Sequence, residues 1–96
     1  MIRNVVYSNI AKLDLVSIHD YIAEHNRPAA VKVMLRIREA CRSLGSMPFT
    51  GAACDELQVD LRYRVVGKYV IYYRVTDDKV WIQRVLHGSQ DARKLL

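Results

Sequence analysis

The sequence predicts a small α+β domain in which a helical hairpin packs on an antiparallel β-sheet. Two observations point to this class. Apolar residues recur at helical spacing between about residues 9 and 45, and β-branched and aromatic residues dominate from about residue 60 to residue 87. Ninety-six residues, 51% of them hydrophobic and 26% charged, suit one compact globular domain spanning residues 1–96.

The first half of the chain predicts a short strand and then a helix. Arg3–Tyr7 has strand composition and leads into Ser8-Asn9, a candidate helix N-cap. Apolar residues then recur at i, i+4, i+7 and i+11, which predicts an amphipathic helix to about Glu24. These residues are Ala11, Leu15, Ile18 and Ile22.

A second helix is predicted to begin at His25-Asn26-Arg27-Pro28, because Asn is a good N-cap and Pro is tolerated in a first turn. It carries an apolar stripe opposite a strongly basic side, and Gly45 and Pro48 are expected to end it. The stripe consists of Ala30, Val33, Met34, Ile37, Cys41 and Leu44. The two helices should therefore form a hairpin.

The second half of the chain predicts an antiparallel meander of three strands. Residues 46–58 show no clear periodicity and are expected to form a loop. The strands are placed at 61–66, 68–75 and 80–87, and the first strand would join them in one sheet. Residues 90–96 are expected to form a short C-terminal helix or a frayed tail.

The composition excludes several classes of protein. The chain carries 15 basic and 10 acidic residues, a net charge of +5 that suits nucleic acid, an acidic protein or no charged partner at all. It has no apolar run near the ~20 residues that span a membrane, and no signal peptide, so a cytoplasmic protein without a membrane partner is expected. Cys41 and Cys54 are expected to be thiols that fill the core.

Metal ions and cofactors are not expected. The three histidines and two cysteines lack the spacing of zinc ligands, and the four glycines are isolated, without a phosphate-binding loop. No serine or cysteine has a neighbouring base in the sequence. We therefore predict neither a metal site nor a nucleotide cofactor.

One group of basic residues on the predicted sheet has the side chains that catalysis requires. Arg62 and Arg64 share one face of a strand, and Arg74, Arg84 and His87 lie on neighbouring strands. His87 would act as acid or base on RNA while Arg84, Arg62 and Arg64 stabilise charge on the phosphate, giving a metal-free nuclease. The competing interpretation is that these arginines are solvent-facing strand residues and that His87 only hydrogen-bonds at the strand end.

Several motifs occur in a fixed order along nearly the whole chain: residues 11–15 with Ile18 and Tyr21-Ile22, Pro28-Ala29-Ala30, Leu44 with Pro48 and Gly51, Leu61-Arg62, the strand 69–74, and the closing run 82–91. These motifs and the order of elements resemble the ParE/RelE superfamily of bacterial toxins from toxin–antitoxin pairs.

The resemblance implies one of two activities. RelE-like members cut messenger RNA on the ribosome, using arginines at places where this chain has Val70 and Ser89-Gln90. The closing His87-Gly88 looks more like the ParE branch, whose members poison DNA gyrase without chemistry of their own. We therefore expect a gyrase inhibitor with no catalytic residue; an mRNA endonuclease or a degenerate toxin that only binds its antitoxin are the alternatives.

The resemblance also implies partners. A cognate antitoxin, usually acidic where it binds the toxin, should form a hetero-oligomer with this basic chain. In the ParE branch the C-terminal end is thought to contribute to the gyrase effect, which points to Arg93, Lys94, Leu95 and Leu96 as target-binding residues. Sequence-specific DNA binding by the chain alone is not expected.

Overall fold

The order of helices and strands follows the sequence prediction closely. The structure is a computed structural model that describes residues 2–96. Its elements are β1 (Asn4–Tyr7), α1 (Asn9–Ala23), α2 (Arg27–Ser46), β2 (Ala52–Ala53), β3 (Arg62–Val66), β4 (Tyr69–Val75), β5 (Lys79–His87) and α3 (Ala92–Leu95). The predicted α+β class, with a helical hairpin on a sheet, is confirmed.

Both long helices begin at the predicted caps. The Ser8 hydroxyl accepts a hydrogen bond from the Ala11 amide at 2.9 Å, and the Asn26 side chain accepts one from the Ala29 amide at 3.0 Å. Pro28 lies in the first turn of α2, where its missing N–H costs nothing. Each cap contributes about 1 kcal/mol, so these short polar motifs fix where the hairpin begins and turns.

The sheet differs from the expectation in one respect: it is mixed. Its order is β1-β5-β4-β3-β2, and β3, β4 and β5 form the predicted antiparallel meander. β1 joins at the edge in parallel with β5, with Val5 opposite Val80 and Tyr7 opposite Ile82. Side chains alternate with period two in both kinds of pairing, so the composition of a strand does not reveal the direction of its partner.

The predicted loop of residues 46–58 contains the two-residue strand β2, which pairs with the start of β3. Two alanines have no strand signature, and contacts distant in sequence hold them in place. The Tyr73 hydroxyl donates to the Pro48 carbonyl at 2.8 Å and accepts from the Gly51 amide at 3.0 Å. A Cβ on Gly51 would lie 2.6 Å from the Tyr63 carbonyl oxygen and overlap the Tyr73 hydroxyl, so only glycine fits.

The hydrophobic core lies between the hairpin and one face of the sheet. It consists of Ala11, Ile37, Ala40, Cys41, Leu44, Ile71, Tyr73, Val80, Ile82 and Val85. Cys41 and Cys54 are both buried free thiols, as predicted. None of the helices within residues 2–96 is both long and apolar enough to cross a membrane.

Candidate functional site

The structure does not bring the predicted basic residues together. Arg62 pairs with Tyr73 across the ladder and Arg64 with Ile71, so both arginines lie on the face that carries the core. Arg84 pairs with Tyr72, which alternates to the opposite face, next to a β-bulge. The four residues of the nuclease hypothesis therefore do not form one basic surface.

Arg62 and Arg64 hold the loop and α2 in place. Arg62 Nη1 donates to the Gly51 carbonyl at 2.8 Å, and its guanidinium stacks 5.0 Å from the centre of the Phe49 ring. Arg64 Nη1 donates to the Ser43 hydroxyl at 2.6 Å, near the end of α2. Both arginines are partly buried rather than solvent-facing, and both have structural partners.

Arg84 forms an ion pair with Asp14 that sequence reasoning missed. Arg84 Nε and Nη2 donate to Asp14 Oδ2 and Oδ1 at 2.9 and 2.8 Å, and the Arg84 and Asp14 side chains are only 16% and 13% exposed. The hydrogen bond to Asp14 raises the pKa of Arg84 above its ordinary value, against the opposing effect of burial. The two residues are 70 positions apart, so no local spacing indicates the pair.

Beyond the end of β1, a side chain of α1 hydrogen-bonds to the edge of β5 in place of a paired strand. β1 ends at Tyr7 opposite Ile82, and the Asp14 carboxylate accepts the Val85 amide at 3.0 Å. Asp14 thus satisfies a backbone donor that a longer strand would have paired. One carboxylate therefore fixes α1, β5 and the Arg84 guanidinium relative to one another.

His87 lies at the end of β5, beside a groove between the hairpin and the sheet. The Ser89 amide donates to His87 Nδ1 at 3.0 Å, so in the neutral imidazole the proton is on Nε2. The ring packs edge-on against Tyr69, with centroids 5.4 Å apart. Burial, followed by the neighbouring Tyr21, raises the pKa of Tyr69, which therefore stays protonated at neutral pH.

The groove combines an apolar floor with cationic side chains at its rim. Its volume is about 540 Å³, and it is lined by Tyr21, Ile22, Val33, Arg36, Ile37, Val66, Gly67, Lys68, Tyr69 and His87. The Arg36 guanidinium lies against the Gly67 turn, and no carboxylate from residues 2–96 lines the groove. Arg36 and Lys68 are thus the cations that share a cavity with His87. No spacing in the sequence indicates this, because the three residues lie on different parts of the fold.

The terminal segment, residues 91–96, contains α3 and the predicted target-binding residues. The Asp91 side chain caps α3 by accepting the Arg93 amide at 3.0 Å. Arg93 and Lys94 are exposed and form no ion pair with any residue of the described chain, while Leu95 is 38% exposed and Leu96 half-buried. Two cations are therefore free for an external partner.

The positions where the RelE-like branch has arginines are occupied by neutral groups. Val70 lies on the sheet face opposite the core. The Ser89 hydroxyl lies 2.7 Å from His87 Nδ1, and the Gln90 side chain accepts the His87 amide at 2.8 Å. These polar groups shape the turn after β5. Within residues 2–96, no three His, Cys, Asp or Glu side chains are grouped to hold a metal ion.

Comparison with known proteins gives consistent matches. A family model described as the ParE toxin of a type II toxin–antitoxin system, parDE, matches residues 5–92. Toxin RelE2 of Caulobacter vibrioides is 36% identical over 86 residues, which cover 90% of this chain and 96% of that protein.

Two solved structures share the fold. The chromosomal ParDE toxin–antitoxin system from P. aeruginosa contains a chain with a TM-score of 0.78 and 20% identity, covering 90% of this chain and 96% of that chain. The toxin–antitoxin complex RelBE2 from Mycobacterium tuberculosis gives a TM-score of 0.63 and 22% identity, covering 91% and 99%.

The fold and these matches define the class of protein, a toxin of a type II toxin–antitoxin system. The chain belongs to the ParE toxin family, within the ParE/RelE superfamily that the sequence motifs resemble. The family model has the ParE name and the curated relative the RelE name, so the matches span both branches of the superfamily.

Proposed function

We propose that this chain is a ParE-like toxin that inhibits DNA gyrase, and so DNA replication, and that a cognate antitoxin neutralises it. The observation that supports this proposal best is the distribution of cations. The arginines on the sheet have partners within the protein, whereas Arg93 and Lys94 on the terminal segment have none among the described residues.

An RNA-cleaving site needs donors that are free to stabilise charge on the phosphate while an acid or base moves a proton. Arg62 is bonded to the Gly51 carbonyl, Arg64 to Ser43 and Arg84 to Asp14. Recruiting any of them to a phosphate would break a structural hydrogen bond. This cost favours a toxin that acts by binding.

The terminal segment is the proposed contact with gyrase. It presents Arg93 and Lys94 on a short helix, with Leu95 partly exposed beside them and Leu96 at its end. Cations flanked by an apolar side chain are suited to an acidic surface with an apolar pocket.

The antitoxin is proposed to cover apolar side chains on the outer surface of the hairpin. On α1, Ile10, Leu13 and Tyr21 share one side of the helix and are 53%, 65% and 71% exposed. On α2, Val31 and Leu35 are 53% and 59% exposed, one turn apart. An amphipathic segment with acidic flanks matches these apolar stripes and the net charge of +5.

Antitoxin binding is tested by introducing a charge on this surface. Leu13→Asp should weaken the complex with the antitoxin encoded beside this chain by at least tenfold, because an unpaired carboxylate would be buried, which costs about 1.4 kcal/mol or more. Val59→Asp is the matched control, since Val59 is 74% exposed and lies in the loop between β2 and β3, outside the hairpin. Equal affinity of both variants, measured by calorimetry, would remove this surface from the proposal.

The RNA endonuclease is the second candidate, and the groove is the observation that favours it. His87 shares the groove with Arg36 and Lys68, two cations that replace Arg62, Arg64 and Arg84 in this version of the hypothesis. His87 would be the acid or base, and the loss on its removal would be on the order of 10²–10⁴ in rate.

Two variants separate the candidates in growing cells. Deletion of residues 92–96 should abolish growth inhibition, while His87→Ala should retain it. Both variants should still copurify with the antitoxin, because the hairpin and the sheet are intact. The reverse pattern, with His87→Ala harmless and the deletion still toxic, would favour the nuclease. A wild-type chain that is not toxic but binds the antitoxin would indicate a degenerate toxin.

A further inference from the structure

We propose that Asp14 and Arg84 act as a positioning pair that holds the terminal segment in the orientation needed to engage the target. The proposal rests on the proposed role of that segment in binding gyrase. Neither residue needs to touch the target, because the pair acts through the Leu95 carbonyl, to which Arg84 Nη1 donates at 2.6 Å.

The Arg84 guanidinium binds Asp14 through two of its nitrogens and the Leu95 carbonyl through the third. Asp14 engages Nε and Nη2 at 2.9 and 2.8 Å, and the Val85 amide fixes the same carboxylate at 3.0 Å. A guanidinium is planar and rigid, so fixing two of its nitrogens fixes the direction of the third. Nη1 is thereby aimed at the last turn of α3.

The bond from Arg84 is the one hydrogen bond that joins residues 92–96 to elements before residue 91, within the described chain. The other hydrogen bonds of this stretch are local: Arg93 and Lys94 amides to Asp91, and the Leu96 amide to the Ala92 carbonyl. α3 is four residues long, and so short a helix is not stable by itself. Its order therefore depends on contacts with the rest of the protein, and the bond from Arg84 adds a fixed polar anchor to the partial burial of Leu95 and Leu96.

The charge of Arg84 adds to this effect. A cation near the last carbonyls of a helix is favourable, because the free C=O groups there carry partial negative charge. Asp14 keeps that cation in place in a site where both side chains are less than one-fifth exposed. Loss of Asp14 would therefore release the terminal segment even though the two do not touch.

Arg84→Lys is the most informative single substitution. Lysine keeps the charge beside Asp14, but its one ammonium group cannot reproduce the planar fork that reaches Asp14 and Leu95 together. The double variant Asp14→Asn/Arg84→Met removes both charges, which avoids leaving one of them buried alone. Arg42→Gln is the control, since it removes one positive charge from an exposed pair with Glu39.

The direct measurement is the backbone order of Lys94 and Leu95 by ¹⁵N relaxation. We expect order parameters near ~0.85 in the wild type and in Arg42→Gln, and values below ~0.6 in Arg84→Lys and in the double variant. Gyrase inhibition should need about tenfold more of these two variants, because the bound geometry of the segment is no longer preorganised. The melting temperature of the double variant should exceed that of Arg84→Met alone.

The outcomes distinguish a positioning role from a purely structural one. If the double variant recovers stability and also recovers order and inhibition, the pair is only structural and the proposal is wrong. If Lys94 and Leu95 stay ordered in Arg84→Lys, the pair does not position the segment. If deletion of residues 92–96 leaves gyrase inhibition unchanged, the proposed role of the segment fails, and the relaxation data still decide whether Arg84 orders it.

Discussion

Replacing Asp14 by alanine should be among the most destabilising single changes on α1. The substitution leaves the Arg84 guanidinium, 16% exposed, without its carboxylate and removes the acceptor of the Val85 amide. Breaking a buried ion pair by removing one partner costs about 3–5 kcal/mol. Because water still reaches part of this pair, we expect the lower end, ~3 kcal/mol.

This loss is large for so small a domain. At about 0.05–0.15 kcal/mol per residue, a chain of 96 residues is stable by ~5–14 kcal/mol, so the variant loses a fifth or more of the total. With a shift of about 4–8 °C per kcal/mol, the melting temperature should fall by ~12–24 °C. Urea unfolding, monitored by circular dichroism, measures the loss of unfolding free energy at constant temperature.

The matched control is Glu39→Ala, which removes the carboxylate of an exposed pair. Glu39 lies 3.5 Å from Arg42, with the two side chains 70% and 81% exposed, so its loss should change stability by less than ~0.5 kcal/mol. If Asp14→Ala costs less than ~1 kcal/mol, or no more than the control, the ion pair does not anchor α1 to the sheet. The reasoning about the terminal segment would then lose its basis.

Two further predictions concern the core. Gly51→Ala should lower the free energy of unfolding in urea by about 1–3 kcal/mol, since the new Cβ overlaps the Tyr73 hydroxyl. Gly88→Ala should be nearly neutral, because the nearest atom to its new Cβ lies at 3.4 Å. Equal costs for the two variants would contradict the packing argument. Burial, and to a lesser extent the neighbouring Cys41, raises the pKa of Tyr7 far above its ordinary 10.0. The stability that Tyr7 contributes is therefore present below about pH 10 and is lost as the pH rises further. Tyr7→Phe should flatten this alkaline decline, and an unchanged pH profile would contradict the assignment.

Features decided by neighbouring residues were predictable from the sequence. The caps at Ser8 and Asn26, the apolar stripes of the hairpin and the three-stranded meander all depend on residues a few positions apart. Propensity and periodicity report such local interactions directly. Apart from β2, which was not predicted, the observed helix and strand boundaries lie within one or two residues of the predicted ones.

Features decided by distant contacts were not predictable. The parallel pairing of β1 with β5, the strand β2 and the Asp14–Arg84 pair join segments up to 75 residues apart. Arg62 and Arg64 lie on the same face of β3, as expected from their spacing. That face is the one toward the helices, because the buried residues Tyr73 and Ile71 pair with them. Periodicity shows that two residues share a face and leaves open which face is covered.

The groove beside His87 shows the same limit for the candidate site. Histidine is a frequent acid or base in proteins, which makes His87 a candidate from the sequence, but the strands alone predict the wrong neighbours for it. Arg36 comes from α2 and Lys68 from the turn between β3 and β4, and both reach the groove only through the packing of the hairpin on the sheet. A single sequence contains no signal for that convergence.

Gyrase assayed with purified protein tests the central claim most directly. The wild-type chain, titrated into gyrase with relaxed plasmid, should inhibit supercoiling and cause cleaved DNA to accumulate. The His87→Ala variant should have both effects at the same concentrations, and the chain lacking residues 92–96 should have neither. Prior addition of the antitoxin should abolish the effect. Unaffected supercoiling together with ribosome-dependent cleavage of messenger RNA, lost in His87→Ala, would contradict the account.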